Sequence, residues 1–596
     1  MARGPIRVAN FSGYLGDRFT AVDEAIAGDP VDVLVGDYLA EITLAALAAR
    51  YRHDPAKGYV GYFLDQVRPH LATLAERGIK VVTNAGGFHP AGLAAALREL
   101  ASRQRVPLRV AHIEGDNVLP DLPRLRTDGH RFEHLDTGQP LDSWGLEPIA
   151  ANAYLGGWGI AAALADGADI VVCGRVTDAS LAAGAAAWWH GWGRGDWNAM
   201  AGAVAAGHII ECGSQAVGGN FSGFTHIPGM TTPGFPIAEI AADGTSVITK
   251  HARDGGAVTV DTVTAQLVYE IQGPTYLNPD VTVHLDTLRL TALGRDRVGV
   301  CGVTASPPPP TTKVAAFAQL GFGIVDTVFV TAPDVNDKIE LLRAQVSKDL
   351  PDGVDQLEFT RLGTAATDPE SQWDATVAVR VAATAREQEP LVRLGLARKL
   401  ASLYLQSIPG FFHDADAAPA TKPKPRIDYW PALLPQAAVT HRAVLDDGRV
   451  VRIDPPADTA LSEQPRHPEP AAAPPATATR SAPLGSVAYA RSGDKGGNCN
   501  VGVWVPEQRA WPWLRQALST EELRRLLPEV KDLDIVRHEL PTLRAVHFVL
   551  RGLLGTGGSA NTRVDQAGKA VGEYLRAKHL PIPEELLTSQ EHDAAH

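Results

Sequence analysis

The chain has 596 residues, 45% hydrophobic and 21% charged, a composition that excludes a collagen-like, wholly disordered or membrane-embedded protein. Its net charge of −13 would repel both a nucleic-acid backbone and an anionic membrane, so neither is expected as a partner. The length predicts about two to four domains.

Nothing in the sequence has the pattern of a secretion signal, a membrane span of about 18 apolar residues or a cysteine pair spaced for a metal. The four cysteines are far apart, at Cys173, Cys212, Cys301 and Cys499. We therefore expect a cytoplasmic protein that carries no membrane anchor and no metal, with a carboxylate-bound metal as the open alternative.

Residues 1–204 alternate short apolar runs, glycine-containing turns and stretches long enough for a helix. The five runs are rich in β-branched residues and are found at Ile6–Ala9, Val31–Val35, Lys80–Thr83, Arg109–Ile113 and Asp169–Cys173. This alternation predicts an α/β fold with a doubly wound, mainly parallel sheet.

Residues 205–453 have a different pattern and are predicted to form an α+β lobe. The runs Ile237–Ile240 and Ser246–Lys250 flank an Ala-Asp-Gly turn, which is typical of an antiparallel hairpin. Leucines at 396, 400 and 403 have the spacing of an amphipathic helix.

Residues 454–483 are rich in proline and alanine and have almost no large apolar side chain, which predicts a mobile linker. The linker leads to a small α+β domain at residues 484–580, followed by a tail at 581–596. Within that domain, Ser519 and Glu522 have the spacing of a helix capping box.

Polar side chains follow all five predicted strands, and ligands bind outside the carboxyl ends of the strands in open α/β sheets. The residues that we expect to act as acids or bases are Asp37, His89, Glu114, Asp116 and Asp178. The residues of these turns that we expect to bind substrate are Gly13, Arg18, Asn84, Gly86, Gly87 and Arg175. If the strands are adjacent and parallel, these groups converge on one edge of the sheet.

A purely structural interpretation is open for each turn taken alone. Glycine permits tight turns, while Asp, Asn and Thr cap the following helix. His89 has the position of a structural or capping histidine, and Arg175 could serve as an ion-pair partner.

Two later loops add candidate binding residues. Residues 211–224 contain four glycines with Asn220 and Cys212, a density that suits close approach of a ligand to the backbone or a flexible crossover. A lone cysteine such as Cys212 is more often inert than nucleophilic.

Residues 491–500 form a locally cationic, glycine-rich loop suited to a phosphate or carboxylate, although a plain hairpin turn is the alternative. Its candidate residues are Arg491, Asp494, Lys495 and Asn498.

Familiar cofactor and nucleophile motifs are missing. The sequence has no phosphate-binding GxxxxGK[ST] loop, no GxSxG nucleophile elbow and no HExxH zinc motif. Gly157-Trp-Gly159 with Ala162 partly matches the dinucleotide-binding pattern, but no clear strand precedes it. We therefore predict no separate cofactor.

Taken in order, the segments NFSGYLGDR, VGDYLAE, TNAGGFHP, EGDN and CGRVTDA, with SGDKGGN in the last domain, resemble the acyclic terpene utilisation protein family of AtuA type. The resemblance covers nearly the whole chain and implies that the small domain is ferredoxin-like. It also implies a role in bacterial catabolism of acyclic isoprenoids such as citronellol and geraniol. It assigns no catalytic residue, so the candidates above come from the strand-end argument alone.

The resemblance, together with the strand-end residues, favours a cytoplasmic enzyme of the lyase or hydratase class that acts on a branched acyl-CoA thioester, with coenzyme A as part of the substrate. Arg175 would hold a carboxylate, backbone N–H groups of the glycine turns would stabilise an enolate, and the chain would form a homo-oligomer. The alternative is a non-catalytic acyl-CoA-binding or carboxylase-associated adaptor protein. A nicotinamide-dependent dehydrogenase is a third hypothesis.

Overall fold

The computed structural model of the chain describes residues 3–414, 422–470 and 478–587. The described residues contain 26 strands. In chain order the strands are β1 Ile6–Ser12, β2 Val33–Gly36, β3 Lys80–Thr83, β4 Val110–Glu114, β5 Pro148–Ala153, β6 Ile170–Val172, β7 Pro236–Ile240, β8 Ser246–Lys250, β9 Thr275–Leu277, β10 Thr282–His284, β11 Arg289–Gly294, β12 Arg297–Cys301, β13 Thr304–Ser306, β14 Thr311–Thr331, β15 Val354–Leu362, β16 Thr376–Ala385, β17 Phe411–Phe412, β18 Lys424–Pro435, β19 Arg442–Val444, β20 Val450–Arg452, β21 Thr479–Pro483, β22 Tyr489–Lys495, β23 Asn498–Trp504, β24 Ile535–Leu540, β25 Ala545–Leu550 and β26 His579–Pro583.

The same residues contain 17 α-helices. They are α1 Ala21–Ala27, α2 Glu41–His53, α3 Gly61–Val67, α4 Leu71–Arg77, α5 Pro90–Gln104, α6 Leu122–Thr127, α7 Trp158–Ala165, α8 Ser180–His190, α9 Trp197–Ile210, α10 Val260–Leu267, α11 Val335–Ser347, α12 Gln388–Leu394, α13 Leu396–Ser402, α14 Trp511–Ala517, α15 Thr520–Leu526, α16 Val571–Arg576 and α17 Glu584–Leu587. Among the described residues no helix is both long enough and apolar enough to cross a membrane.

The chain divides into two compact units. The first consists of Met1–Phe317, Tyr429–Gly558 and Arg563–His596, and the second of Ala318–Asp428 with Ser559–Thr562. The sequence instead suggested a lobe at 205–453, and that stretch is shared between the two units. The small domain at 484–580 lies almost wholly in the first unit.

The first unit is built around an eleven-stranded sheet in the order β11-β12-β8-β7-β1-β2-β3-β6-β4-β19-β20. The central strands β1, β2, β3, β6 and β4 are parallel. Their buried β-branched residues explain why the sequence identified all five, with ends shifted by a few residues.

Antiparallel strands extend both edges of this sheet, so the sheet is mixed and departs from the predicted mainly parallel, doubly wound arrangement. The β7–β8 hairpin is present as predicted, but β7 pairs with β1 and so belongs to the first sheet. On the other edge, β19 pairs with β4. A long chain segment therefore returns to complete a sheet that the first 204 residues begin.

The small domain has a four-stranded antiparallel sheet in the order β22-β23-β25-β24. Helices α14, α15 and α16 cover it with the buried side chains of Leu514, Leu523 and Leu575. Half of the predicted capping box is present, because the Ser519 hydroxyl accepts a hydrogen bond from the Glu522 N–H at 3.0 Å, while the Glu522 carboxylate binds Arg525. The strands extend into the glycine-rich loop, whose turn is reduced to Gly496 and Gly497.

The second unit contains an antiparallel sheet of β15, β16 and the 322–331 part of β14. Helix α13 packs on it with Leu396 and Leu400 fully buried, as their spacing predicts.

The predicted linker is only partly described, since residues 471–477 lie outside the described part of the chain. Residues 454–470 contain no helix or strand, yet they are attached to the first unit rather than free. Gln464 exchanges two hydrogen bonds with the backbone of Thr275, and His467 Nδ1 accepts a hydrogen bond from the Glu539 N–H.

Candidate functional site

A cavity of about 390 Å³ lies in the first unit, where the turn after β6, strand β9, the start of β14 and the β22–β23 turn meet. Its charged wall residues are Asp136, Arg175, Asp178, Glu270, Lys313, Lys495 and Arg551. Leucines at 135, 277 and 433, together with prolines 279, 309 and 431, form an apolar part of the wall. The volume is typical of a small-molecule site.

Arg175 and Asp178 enter the cavity from the turn that follows β6. Arg175 Nη1 lies 2.9 Å from Asp178 Oδ1 and donates to the Leu39 carbonyl oxygen at 2.6 Å. The guanidinium carbon is 4.1 Å from the centroid of the Tyr154 ring. Because Arg175 is 97% buried, these contacts fix a cation that would otherwise be costly to desolvate.

A buried hydrogen-bond chain holds the Leu39 carbonyl in place. Asn84 Nδ2 donates to Asp37 Oδ1 at 2.6 Å, and the Leu39 N–H donates to the same oxygen at 3.1 Å. Burial, and then the nearby Asp178 carboxylate, raise the pKa of Asp37 well above its usual value. Asp37 and Asn84 therefore act behind Arg175 and do not line the cavity.

The second cation, Lys313, comes from the start of β14 and pairs with Glu41 at 3.0 Å. The other Glu41 oxygen accepts a hydrogen bond from the Gly496 N–H at 2.9 Å. Glu41 thus connects Lys313 to the turn of the small domain. A Cβ on Gly497 would lie 2.3 Å from the Gly555 carbonyl oxygen, so this turn requires glycine.

The third cation, Lys495, comes from the small domain. Its Nζ is 4.0 Å from Glu270 Oε2 and makes no hydrogen bond to any described residue. Burial alone would lower the pKa of Lys495, but Glu270, Tyr276, Asp178 and Glu41 together raise it well above its usual value. Lys495 is therefore a permanent cation whose donors are free to meet a ligand.

Two further side chains point to a ligand. Asn278 is 98% buried in the cavity wall, and neither its Oδ1 nor its Nδ2 has a hydrogen-bond partner among the described residues. Buried amides are rarely left unsatisfied. Burial raises the pKa of Tyr276, so its hydroxyl stays protonated and can donate.

Of the other candidates of the glycine-rich loops, one lines the cavity and the rest lie outside its wall. Asn498 lines it and donates through Nδ2 to Asp136 Oδ1 at 2.7 Å. Asp494 is 3.2 Å from Lys569 Nζ, and burial together with Glu270 raises its pKa to about 6. Arg491 hydrogen-bonds the Asn220 carbonyl oxygen at 3.0 Å, so these two predicted residues join the small domain to the 211–224 loop.

Besides Asp37, three of the predicted acids and bases do not line the cavity. His89 precedes α5 and its ring centroid is 6.4 Å from that of Tyr59. Glu114 pairs with Arg442 at 3.0 Å and with His112 at 3.1 Å. Asp116 lies beneath Arg175 and accepts a hydrogen bond from its backbone N–H at 2.8 Å, and burial raises its pKa to about 6.

The remaining predicted binding residues shape turns. A Cβ on Gly13 would lie 2.4 Å from the Cys212 carbonyl carbon, and one on Gly86 would lie 2.4 Å from the Cys173 carbonyl oxygen. Gly87 has a φ of +52°. Arg18 pairs with Glu24 at 2.5 Å.

Most cavity residues were not identified from the sequence, among them Tyr154, Glu270, Tyr276, Asn278 and Lys313. They occupy short strands and segments without a recognisable motif. The glycine-rich 211–224 loop drew attention to Cys212 instead, but burial raises the pKa of that thiol well above its usual value. No group of three or more metal-ligating side chains is present in residues 3–414, 422–470 and 478–587.

Comparison with known proteins gives two matches to protein families. Residues 6–445 match the family described as acyclic terpene utilisation family protein AtuA, and residues 482–581 match the AtuA ferredoxin-like domain. No curated protein matches the chain, and no solved structure does.

Proposed function

The chain belongs to the acyclic terpene utilisation family AtuA, and from this premise we propose that it is an enzyme that hydrates or cleaves a branched acyl-CoA thioester. One observation carries the proposal. Asn278, whose side-chain amide has no hydrogen-bond partner among the described residues, shares one cavity with the Lys495 ammonium group, the Asp178 carboxylate and an apolar wall.

Both reaction classes place negative charge on the thioester oxygen. When water adds to a double bond next to the thioester, the electron pair moves to that oxygen. When the carbon–carbon bond of a 3-hydroxyacyl thioester breaks, the electron pair of that bond moves to the thioester oxygen and forms the enolate. Lys495 is the group suited to stabilise this charge, because a cation placed in a protein cavity acts more strongly on developing charge than one in water.

Asp178 is the base in this proposal. It takes the proton from water during addition, or from the substrate hydroxyl during cleavage, and the enolate then takes up a proton at its carbon. Tyr276, whose pKa is raised by burial so that it is protonated at neutral pH, is the proton donor in this proposal. Arg175 holds a carboxylate on the substrate, and the apolar wall accepts its branched chain.

The direct test is to incubate the protein with a panel of branched enoyl- and 3-hydroxyacyl-CoA thioesters and to follow their masses. We expect a gain of one water or cleavage into two products for at least one member. A panel that neither reacts nor changes the melting temperature would overturn the proposal. A raised melting temperature without turnover would instead favour the acyl-CoA-binding adaptor.

A further inference from the structure

The wall of the cavity has polar side chains at its buried end and apolar side chains in contact with solvent. Asn278 and Arg175 are only 2% and 3% exposed. Leu135, Leu277 and Leu433, called here the leucine rim, are 47%, 48% and 45% exposed. Folded proteins usually bury leucine and expose asparagine and arginine. The reversed arrangement therefore suits a ligand, and the exposed leucine rim marks the mouth of the cavity.

The buried end has the chemistry of a carboxylate site. Neither the Asn278 amide nor the Arg175 Nε has a hydrogen-bond partner among the described residues. Polar groups left unpaired away from water cost free energy, and a ligand carboxylate offers acceptors to such donors. A hydrocarbon chain at this end would leave both side chains unpaired. The apolar part of a ligand therefore belongs at the other end.

Three separate chain segments supply the leucine rim. Leu135 lies in the loop that follows α6, Leu277 ends β9, and Leu433 lies in β18. The next residue of β18, Leu434, is fully buried in a hydrophobic core. Because side chains alternate along a strand, Leu433 lies on the opposite face from that core. Core packing thus explains Leu434 and does not explain the apolar residue beside it.

The exposed polar residues of the same wall already have partners. Arg551 Nη1 lies 3.1 Å from Asp534 Oδ2, and Asp136 Oδ1 accepts a hydrogen bond from Asn498 Nδ2 at 2.7 Å. Covering an exposed apolar side chain removes it from water and favours binding. The leucine rim is therefore the surface at the mouth that gains most from contact with a ligand.

We propose that the substrate is an acyl thioester with two arms, a carboxylate arm that binds at the buried end and a long apolar arm that lies on the leucine rim. This inference rests on the proposed function and adds a specificity, since long apolar arms should bind more tightly than short ones. Because the rim is open to solvent, an arm that extends beyond it meets no wall. The protein should therefore accept long arms without an upper limit of length.

The experiment uses CoA thioesters of 3-alkylglutarates, which carry both arms but lack the double bond and the hydroxyl group that the proposed reactions need. Calorimetric titration of the full chain compares ethyl, hexyl and octyl arms. We expect the hexyl arm to bind about tenfold more tightly than the ethyl arm, because a carbon covered on one side contributes about twofold, against about fourfold for a fully buried one. The octyl arm should bind at least as tightly as the hexyl arm.

Substitutions in the rim test where the apolar arm lies. Leu277→Ser and Leu433→Ser should each weaken binding of the hexyl arm about threefold and leave binding of the ethyl arm unchanged, because the short arm has little contact with the rim. Leu293→Ser is the matched control, since Leu293 is 55% exposed and does not line the cavity. It should change neither affinity. The melting temperature of each variant checks that it is folded.

Each other outcome overturns the inference. Affinity that falls from hexyl to octyl would show a closed pocket, and equal affinity for ethyl and hexyl would show no apolar contact. Rim variants that keep the full preference for hexyl would place the arm elsewhere. If the enoyl- and 3-hydroxyacyl-CoA panel reacts in any of these cases, or while no glutarate probe binds, the proposed function stands and only this inference fails. If no probe binds and no member of the panel reacts, both fail.

Discussion

Two ends of neighbouring parallel strands differ sharply in what surrounds them. At the end of β6, Arg175 and Asp178 border an open cavity. At the end of β4, strand β19 pairs antiparallel with β4 and places Arg442 directly opposite Glu114. The Arg442 guanidinium donates a hydrogen bond to the Glu114 carboxylate. A polar residue at a strand end therefore forms a site only where no later strand or side chain satisfies it.

The largest expected effect is at the open end. Asp178→Asn should lower turnover of the reactive thioester by about 10² to 10⁴-fold, because it removes the base while keeping the shape of the side chain. Steady-state kinetics would measure this. A decrease in turnover of less than tenfold would show that Asp178 is not the base. The two strand ends would then not differ in function.

Lys495→Met should lower kcat by about 10² to 10³-fold, as removal of one charge-stabilising donor does in other enzymes. Lys495→Arg should retain part of the wild-type kcat, because arginine keeps the positive charge. Lys531→Met, at an exposed position of the same domain, is the control and should change kcat less than twofold. Equal effects of the Met substitutions at 495 and 531 would contradict the assignment.

A third prediction concerns Asp116, which lies between the two strand ends. Its folded pKa of about 6 lies above the ordinary value of 3.8, so the folded chain keeps this proton when the unfolded chain has lost it. The resulting stabilisation is complete below about pH 4 and disappears as the pH rises through about 6.

Relative to Asp116→Asn, the wild type should therefore lose about 3 kcal/mol of unfolding free energy between pH 4 and pH 7. Urea unfolding of both proteins across this range measures the difference. A difference that stays constant with pH would show that Asp116 ionises normally.

The smallest effects are expected at the closed end. Glu114→Gln should cost less than about 1 kcal/mol of stability, as is usual for partly exposed ion pairs. Glu114→Gln and His89→Ala should each change turnover less than threefold, measured beside Asp178→Asn. A hundredfold loss in either would place the chemistry at β4 instead of β6.

The sequence was informative wherever the relevant signal is local. Short β-branched runs identified the five parallel strands, and the spacing of Ser519 and Glu522 identified a helix cap. The strand-end rule also brought Arg175 and Asp178 to attention together. The strands, the helix cap and the strand-end turn each depend on residues that are close together along the chain. The chemistry of those residues is enough to predict each feature.

Features that depend on distant segments could not be predicted in this way. Nothing near Glu114 indicates that β19, more than 300 residues later, will pair with its strand. Likewise Lys313 and Asn278 lie in segments without a motif, and only the fold brings them to Arg175. Strand pairing over such separations is set by the packing of the whole sheet, which no single window of sequence contains.

The contact between Glu41 and the Gly496 N–H has a consequence for the order of assembly. On the ribosome, Arg175 and Lys313 are synthesised well before Lys495, and domains generally fold as units during synthesis. A nascent chain that has already formed its large sheet still lacks the third cation. If Lys495 has the role proposed for it, the protein becomes active only after the β22–β23 hairpin has packed against Glu41, so a partly synthesised chain would not catalyse the reaction.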